Sequence, residues 1–322
     1  MMHVPTFEEV LTASQKLQGV IHHTPVLTSR QLNERSQAQV FLKCENFQRI
    51  GAFKIRGAYN ALASLSPSQK TRPIVTVSSG NHAQGVALAC DLLGLTAHIV
   101  MAEPVNPRKR AAVEQYGGII YPAANRSDAD ALGVKLAKEK NGTFIHPFND
   151  PQVIAGQGTV ALELLEAQPD LDIVLAPVGG GGLLSGTCVA VQGMQPHCQI
   201  YACEPAGALD AKRSVEENRV IAMDHPSTIA EGLRTSLGDL TLQILRTHLS
   251  GFFVVEEEEI VEAMQFVFER VKIVIEPSSA VALAPLLRQE SLLKEKRIGV
   301  IITGGNVDLS DFFGDLLCHK RQ

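Results

Sequence analysis

The fold is decided by the stretch IVLAPVGGGGLLSG, which covers residues 173–186. Its first six residues form an apolar run typical of a buried strand, and the pattern after the glycines predicts a helix from Gly182 to Gln192. Four residues without Cβ let successive backbone N–H groups converge, and a helix N-terminus adds positive potential. The turn made by Gly179, Gly180, Gly181 and Gly182 is therefore predicted to bind a phosphate group, with tight packing as the alternative.

Two other phosphate patterns do not fit this turn. Ser185 stands where the dinucleotide register G-x-G-x-x-G would need its third glycine, and Gly181 to Gly186 is followed by Thr187 without a lysine. The sequence thus favours a lone phosphate group over a dinucleotide or a nucleoside triphosphate.

Strand-like and helix-like segments alternate outward from this stretch along most of the chain. The predicted strands are Val40–Cys44, Ile74–Ser78, His98–Ala102, Ile119–Tyr121, Thr143–His146, Ile173–Val178, Gln199–Cys203, Gly251–Val255 and Gly299–Thr303. The predicted helices are His82–Leu93, Pro107–Tyr116, Asp128–Lys140, Pro151–Ala167, Gly182–Gln192, Glu256–Lys272 and Ser278–Leu287. This alternation indicates an α/β fold with parallel sheets covered by helices on both faces.

Two further strands also end in polar or glycine-rich turns, at Ser78–His82 and Ile302–Asn306. Ligands of open α/β sheets gather at the carboxyl ends of the strands, so the three turns predict one shared cleft. A fourth unusual segment is Asn46–Ala58, where Lys54 lies in an apolar turn bracketed by glycines. A desolvated lysine has a depressed pKa, which makes its amine available for imine formation.

Composition excludes several classes of function. The chain has 322 residues and a formal net charge of −5, with no basic segment that would attract nucleic acid. No signal peptide is visible, and no apolar run approaches the roughly 20 residues of a membrane span. No CxxC pair occurs, so reduced thiols in a cytoplasmic protein are expected. The cysteines are Cys44, Cys90, Cys188, Cys198, Cys203 and Cys318.

The combination of Gly51–Gly57, Ser78–His82, Gly179–Gly182 and Thr303–Asn306 resembles the fold-type-II pyridoxal-phosphate enzymes, and among them the serine racemase and serine/threonine dehydratase family. The resemblance implies an α/β, two-lobe, tryptophan synthase β-like fold with parallel-rich twisted sheets and pyridoxal 5'-phosphate between the lobes. It places the large domain at residues 1–73 and 146–322 and the small domain at residues 74–145. It also implies a homodimer.

The resemblance further implies a role for each motif. Lys54 would carry the cofactor as a Schiff base and act as base on one face of the substrate, and the amides of Gly179–Gly182 would hold the phosphate. Asn81 would hydrogen-bond the phenolic oxygen, and the hydroxyl of Thr303 would lie at the pyridine nitrogen, which makes the cofactor a mild electron sink. The substrate carboxylate would bind at the helix N-terminus formed by Ser78, Ser79, Gly80, Asn81 and His82.

Ser79 decides between reactions within the family. Racemisation needs a proton donor or acceptor on each face of Cα, whereas elimination of water needs only one base. Racemases of this group have serine at this position, so the hydroxyl of Ser79 is expected to work opposite Lys54. The alternative is that Ser79 caps the following helix.

A metal site is implied by resemblance to the racemases. On sequence alone Glu204–Asp210 is an ordinary solvated loop. The matching residues of the racemases bind a divalent cation, so Glu204, the carbonyl of Ala208 and Asp210 would ligate Mg²⁺, or alternatively Ca²⁺ or Mn²⁺.

The predicted reaction is interconversion of L- and D-serine, with competing elimination of water to give pyruvate and ammonia. The alternative is an ammonia-lyase for threonine or threo-3-hydroxyaspartate with minor racemisation, in which Arg49, Arg126 or Arg234 would bind a second substrate carboxylate.

The chain departs from the family pattern at Ala52, Glu231 and Thr303, and Ile50 argues against ATP activation. Rival classes are a dinucleotide oxidoreductase, whose glycine register fails, and a non-catalytic ligand-binding protein.

Overall fold

A computed structural model describes residues 3–105, 107–223 and 225–308, and these residues form two β-sheets with helices packed on their faces. The strands are β1 Val26–Leu27, β2 Gln39–Cys44, β3 Ile74–Val77, β4 Ala97–Ala102, β5 Ile119–Ala123, β6 Thr143–Phe144, β7 Ile173–Pro177, β8 Gln199–Pro205, β9 Gly251–Val255 and β10 Arg297–Ile302. All nine predicted strands are present within one or two residues of their predicted ends, and the α/β prediction is confirmed.

The helices are α1 Phe7–Leu17, α2 Arg30–Ser36, α3 Lys54–Ala63, α4 Pro67–Lys70, α5 Asn81–Leu93, α6 Pro107–Gln115, α7 Arg126–Glu139, α8 Pro151–Ala167, α9 Gly182–Met194, α10 Asp210–Glu217, α11 Asp239–His248, α12 Glu257–Phe266, α13 Pro277–Ala280 and α14 Ala284–Leu287. Three predictions were wrong in detail. The helix predicted at Glu256–Lys272 is α-helical only over Glu257–Phe266 and continues as a π-helix over Val267–Val271. The lysine segment was predicted as a turn, but a helix begins at Lys54. The helix predicted at Ser278–Leu287 is two short helices, because Pro285, in the first turn of the second one, lacks the N–H that a continuous helix needs.

The larger sheet has the strand order β1-β2-β10-β7-β8-β9, and every pairing except β1 with β2 is parallel. Successive side chains of the central strands point to opposite sides of the sheet, and helices cover both sides. In β7, Ile173 and Leu175 pack on the side of α12–α14, whereas Val174 and Ala176 pack on the side of α8, α9 and α11. This double cover explains why the central strands are continuous apolar runs.

The smaller sheet has the order β5-β4-β3-β6 and is parallel throughout. Its apolar side chains pack against α3, α5 and α6 on one face and against α7 on the other. The four strands lie inside the predicted small domain, and the boundaries of that domain stay a prediction. Among the described helices, none combines the length and apolarity that crossing a membrane requires.

A buried ion cluster lies at the first turn of α3. The guanidinium of Arg56 donates to Glu45 at 2.7 and 2.8 Å and to Glu163 at 2.6 and 2.9 Å, and also to the Thr159 hydroxyl at 3.2 Å. Lys43, also fully buried, donates to Glu163 at 2.6 Å. The cluster therefore ties β2, α3 and α8 together two residues after Lys54.

Candidate active site

A cavity of about 430 Å³ lies where strands of both sheets end. Residues that follow β3, β7 and β10 form its walls, as the parallel topology requires. The cavity brings together Lys54, the turn Ser78–His82, Gly179–Gly182 and Thr303. The three turns that the sequence assigned to one cleft therefore share one cavity.

Lys54 lies at the start of α3 with its amine inside the cavity. Nζ donates to the carbonyl of Pro147 at 3.1 Å and lies 5.2 Å from the centre of the Phe53 ring. Burial lowers the pKa of Lys54 to about 8, although the carboxylate of Glu276 opposes this shift. Near neutral pH this amine is thus neutral more often than an ordinary lysine, and the neutral form is the one that covalent chemistry requires.

The tetraglycine turn has no room for side chains. A Cβ on Gly180 would lie 2.3 Å from the Phe148 ring, and Gly181 has a φ of +84°. Among the described residues, no acceptor receives a hydrogen bond from the backbone N–H groups of residues 179–184. A glycine-lined turn with free N–H groups at the start of α9 fits a phosphate group.

The turn Ser78–His82 offers similar donors at the start of α5. The Gly80 N–H donates to the Ser78 hydroxyl at 3.2 Å, while those of Ser79, Asn81 and His82 reach no acceptor among the described residues. The Ser79 hydroxyl donates to the carbonyl of Ala102 at 3.1 Å. Since α5 begins without any side-chain cap, the alternative role of Ser79 as a helix cap was wrong.

Histidine is not a cation in this cavity. His82 is almost fully buried, and burial together with the nearby charge of Lys54 holds its pKa well below the usual value. Burial also lowers the pKa of the neighbouring His146 to about 4. Both imidazoles are therefore neutral near pH 7, which leaves lysine and arginine as the positive groups.

Glu276 is a cavity residue that the sequence analysis missed. Its carboxylate accepts hydrogen bonds from Nδ2 of Asn81 at 3.0 Å to each oxygen, and Asn306 donates to Oδ1 of Asn81 at 2.9 Å. The two contacts fix the orientation of the Asn81 amide. The hydroxyl of Thr303 lies 2.9 Å from that of Ser279, so this group is also held in place.

Basic side chains occupy the rest of the wall. Lys109, Arg126 and Arg234 line the cavity, whereas Arg49 is not among its lining residues. Lys109 lies on α6 beside the smaller sheet and forms an ion pair with Glu231, which lies between α10 and α11. Of the three arginines proposed from the sequence, the structure therefore brings two to the cavity.

The predicted metal ligands lie outside the cavity wall, at the end of β8. Glu204 and Asp210 are almost fully buried, so the solvated-loop interpretation was wrong. Burial raises the pKa of Glu204 to about 8 and that of Asp210 to about 6. Glu204 accepts from the N–H groups of Ala211 and Lys212, while Oδ2 of Asp210 has no hydrogen-bond partner among the described residues. A buried carboxylate oxygen without a partner fits a cation ligand.

The thiols behave as the sequence predicted wherever the structure describes them. Cys44, Cys90, Cys188, Cys198 and Cys203 are free and buried, and burial raises the pKa of each thiol. Such thiols are unreactive packing groups. The sixth cysteine, Cys318, lies outside the described residues.

Comparison with known proteins agrees with this geometry. Residues 17–304 match the family described as "Pyridoxal-phosphate dependent enzyme". The chain is 44% identical to the β-hydroxyaspartate dehydratase of Paracoccus denitrificans, with 96% of this chain and 98% of the relative covered. It is 40% identical to the serine racemase of Schizosaccharomyces pombe, with 96% of each chain covered.

The fold comparison points the same way. The structure of maize serine racemase superposes with a TM-score of 0.95 at 38% identity and covers 99% of each chain. The cavity with its buried lysine and its glycine cradle is thus embedded in a fold that these enzymes share. The chain belongs to the pyridoxal-phosphate dependent enzymes of fold type II, in the group of amino-acid racemases and ammonia-lyases.

Proposed function

We propose that the protein interconverts L- and D-serine and also dehydrates serine to pyruvate and ammonia. The observation that carries this proposal is that one cavity holds the buried amine of Lys54, the hydroxyl of Ser79 and a glycine cradle for phosphate. Relatives at 40–44% identity are named as serine racemases, a β-hydroxyaspartate dehydratase and L-threo-3-hydroxyaspartate ammonia-lyases, which supports both the racemase and the lyase activity.

The cavity residues would hold the cofactor by contacts that fit its chemistry. The free N–H groups of Gly179–Gly182 would bind the phosphate, the Asn81 amide the phenolic oxygen and the Thr303 hydroxyl the pyridine nitrogen. Pyridoxal phosphate, when bound, withdraws electrons from the substrate Cα and makes the Cα proton acidic. The N–H groups of the turn Ser78–His82 would receive the substrate carboxylate.

The two proton-transfer groups then determine the product. Lys54, with a pKa near 8 in this cavity, would remove the Cα proton from one side of the substrate. Ser79 would return a proton to Cα from the other side, which inverts the configuration. Departure of the β-hydroxyl before that return would give elimination, so the two reactions compete for one deprotonated substrate.

A second candidate substrate is threo-3-hydroxyaspartate. Three basic side chains, Lys109, Arg126 and Arg234, line the cavity. A relative named as a hydroxyaspartate ammonia-lyase covers 97% of this chain at 42% identity. A second carboxylate is the substrate group that such a wall would recognise.

The two-base arrangement is tested by replacing one base at a time. Ser79→Ala is expected to lower D-serine formation from L-serine by about 10²- to 10⁴-fold while pyruvate release persists. Lys54→Ala should lose both reactions together with the visible absorbance of the bound cofactor. Chiral analysis and a pyruvate assay on the same samples separate the outcomes. Equal loss of both products in Ser79→Ala would contradict the assignment of Ser79 to one face.

We further propose that Glu204, the carbonyl of Ala208 and Asp210 bind Mg²⁺ or a similar divalent cation. The two buried carboxyl groups, one with an unpartnered oxygen, support this site.

We also propose a cytoplasmic homodimer whose small domain is residues 74–145. ATP activation is not part of the proposal, because the buried apolar side chain of Ile50 offers no polar contact.

A further inference from the structure

The charges around the cavity are unevenly compensated. Four basic side chains other than histidine line the cavity. Three of them have a carboxylate neighbour: Lys54 faces Glu276, Lys109 pairs with Glu231, and Arg126 donates to Asp130 at 3.0 Å. Arg234 has no carboxylate partner among the described residues. The cavity wall therefore carries one cation whose charge is available to a ligand.

Arg234 is held in place by a neutral group. Its Nε donates to the backbone carbonyl of Thr228 at 2.8 Å, and its Nη2 donates to the same oxygen. Thr228, which supplies this carbonyl, is almost fully buried. These contacts fix the guanidinium plane and use neither N–H of Nη1. A fixed guanidinium with unused donors is suited to bind a carboxylate through two hydrogen bonds.

The loop that carries Arg234 borders the cofactor cradle. A Cβ on Gly179 would lie 3.0 Å from the carbonyl oxygen of Gly232 and 3.0 Å from Cα of Leu233. The Gly232 N–H donates to the hydroxyl of Ser278 at 3.0 Å, which secures the loop from its other side. The loop is thus packed against the same turn that would hold the phosphate, inside the cavity that contains Lys54.

We propose that Arg234 receives the second carboxylate of a dicarboxylic substrate and so selects threo-3-hydroxyaspartate over serine. This inference rests on the proposed function, because the first carboxylate must occupy the turn Ser78–His82. Arg126 is the less suitable cation, since Asp130 offsets its charge and more than half of its side chain is exposed to solvent. Screening by water weakens such exposed charges.

The kinetic test measures the ratio of kcat/KM for threo-3-hydroxyaspartate to kcat/KM for L-serine. Arg234→Gln is expected to lower this ratio by about 10- to 100-fold, and Arg234→Lys should restore part of it, because lysine keeps the charge but loses the planar fork. Arg126→Gln is the matched control and should change the ratio less than about threefold. An unchanged ratio in Arg234→Gln, or a larger loss in Arg126→Gln, would overturn the assignment.

A binding test needs no turnover. L-Aspartate and L-alanine both lack the β-hydroxyl that elimination removes, and of the two only L-aspartate has a second carboxylate. Each can be titrated against the cofactor-loaded enzyme by following the visible absorbance. Arg234→Gln should weaken the response to L-aspartate at least about tenfold relative to L-alanine. A retained response to L-alanine shows that the variant is folded and loaded. If the unaltered enzyme turns over neither serine nor hydroxyaspartate, the proposed function fails. If the unaltered enzyme turns over either substrate but Arg234→Gln leaves the response to L-aspartate unchanged, only the Arg234 inference fails.

Discussion

The buried guanidinium of Arg56 gives the sharpest prediction about stability. Arg56 has no solvent exposure, and its hydrogen bonds reach both Glu45 and Glu163. Replacement by methionine keeps an unbranched side chain but removes every donor. Two buried carboxylates would then share the single positive charge of Lys43. We expect Arg56→Met to lower the free energy of unfolding by about 3–5 kcal/mol, the usual cost of removing one partner of a buried ion pair.

This loss is large compared with the total stability of a folded protein, which is about 5–15 kcal/mol. Urea unfolding of the cofactor-loaded enzyme, followed by circular dichroism, measures it as a shift of the midpoint. The matched control is Arg30→Met, because Arg30 forms an exposed pair with Glu34 at 3.6 Å. That variant should change the free energy of unfolding by less than about 0.5 kcal/mol.

A second substitution identifies the cause of the loss. Adding Glu163→Gln to Arg56→Met removes one of the two orphaned charges, so the double variant should be more stable than Arg56→Met alone. A midpoint in Arg56→Met no lower than in Arg30→Met would refute the reasoning. So would a double variant in which the two losses simply add, since additivity means that the side chains do not interact.

Three further predictions concern the cofactor and the metal. Reconstitution of the apoenzyme with pyridoxal phosphate should accelerate as pH rises, with a midpoint near the pKa of about 8 for Lys54, because only the neutral amine reacts; a rate still rising toward the ordinary lysine pKa of 10.5 would contradict it. Gly180→Ala should weaken cofactor binding at least about tenfold in an absorbance titration, since the new Cβ would lie 2.3 Å from the Phe148 ring; unchanged affinity would contradict the cradle. Mg²⁺ should raise the Tm of the enzyme but not that of Asp210→Asn, and equal shifts in both would exclude Asp210 as a ligand.

The strands were predictable because they are buried on both faces. β3, Ile74–Val77, is buried at every position, so its sequence is a continuous apolar run. β1, Val26–Leu27, was missed because two partly buried residues carry no periodic signal. The break in the predicted helix Ser278–Leu287 did have a signal, namely Pro285, which lacks the N–H that a continuous helix needs.

Glycine near Lys54 misled the prediction for a physical reason. Gly57 suggested a turn, yet it lies inside α3, where a Cβ would come 2.4 Å from Nε2 of Gln157 on α8. Its role is close helix packing, which depends on a partner helix about a hundred residues away. Glu276 was missed for a related reason, since its partner Asn81 is 195 residues distant in the chain. Local sequence can indicate which groups carry chemistry, but long-range pairing shows how they are oriented.

The residues that line the cavity are scattered along the chain between Phe53 and Thr303, and several of them follow strands of one or the other sheet. A ligand that fills this cavity would meet residues that follow strands of both sheets, so its binding depends on both being folded. Its binding free energy therefore adds to the stability of the whole assembly according to its concentration relative to Kd. A higher concentration of the cofactor is therefore expected to stabilise the folded chain as well as to support its activity.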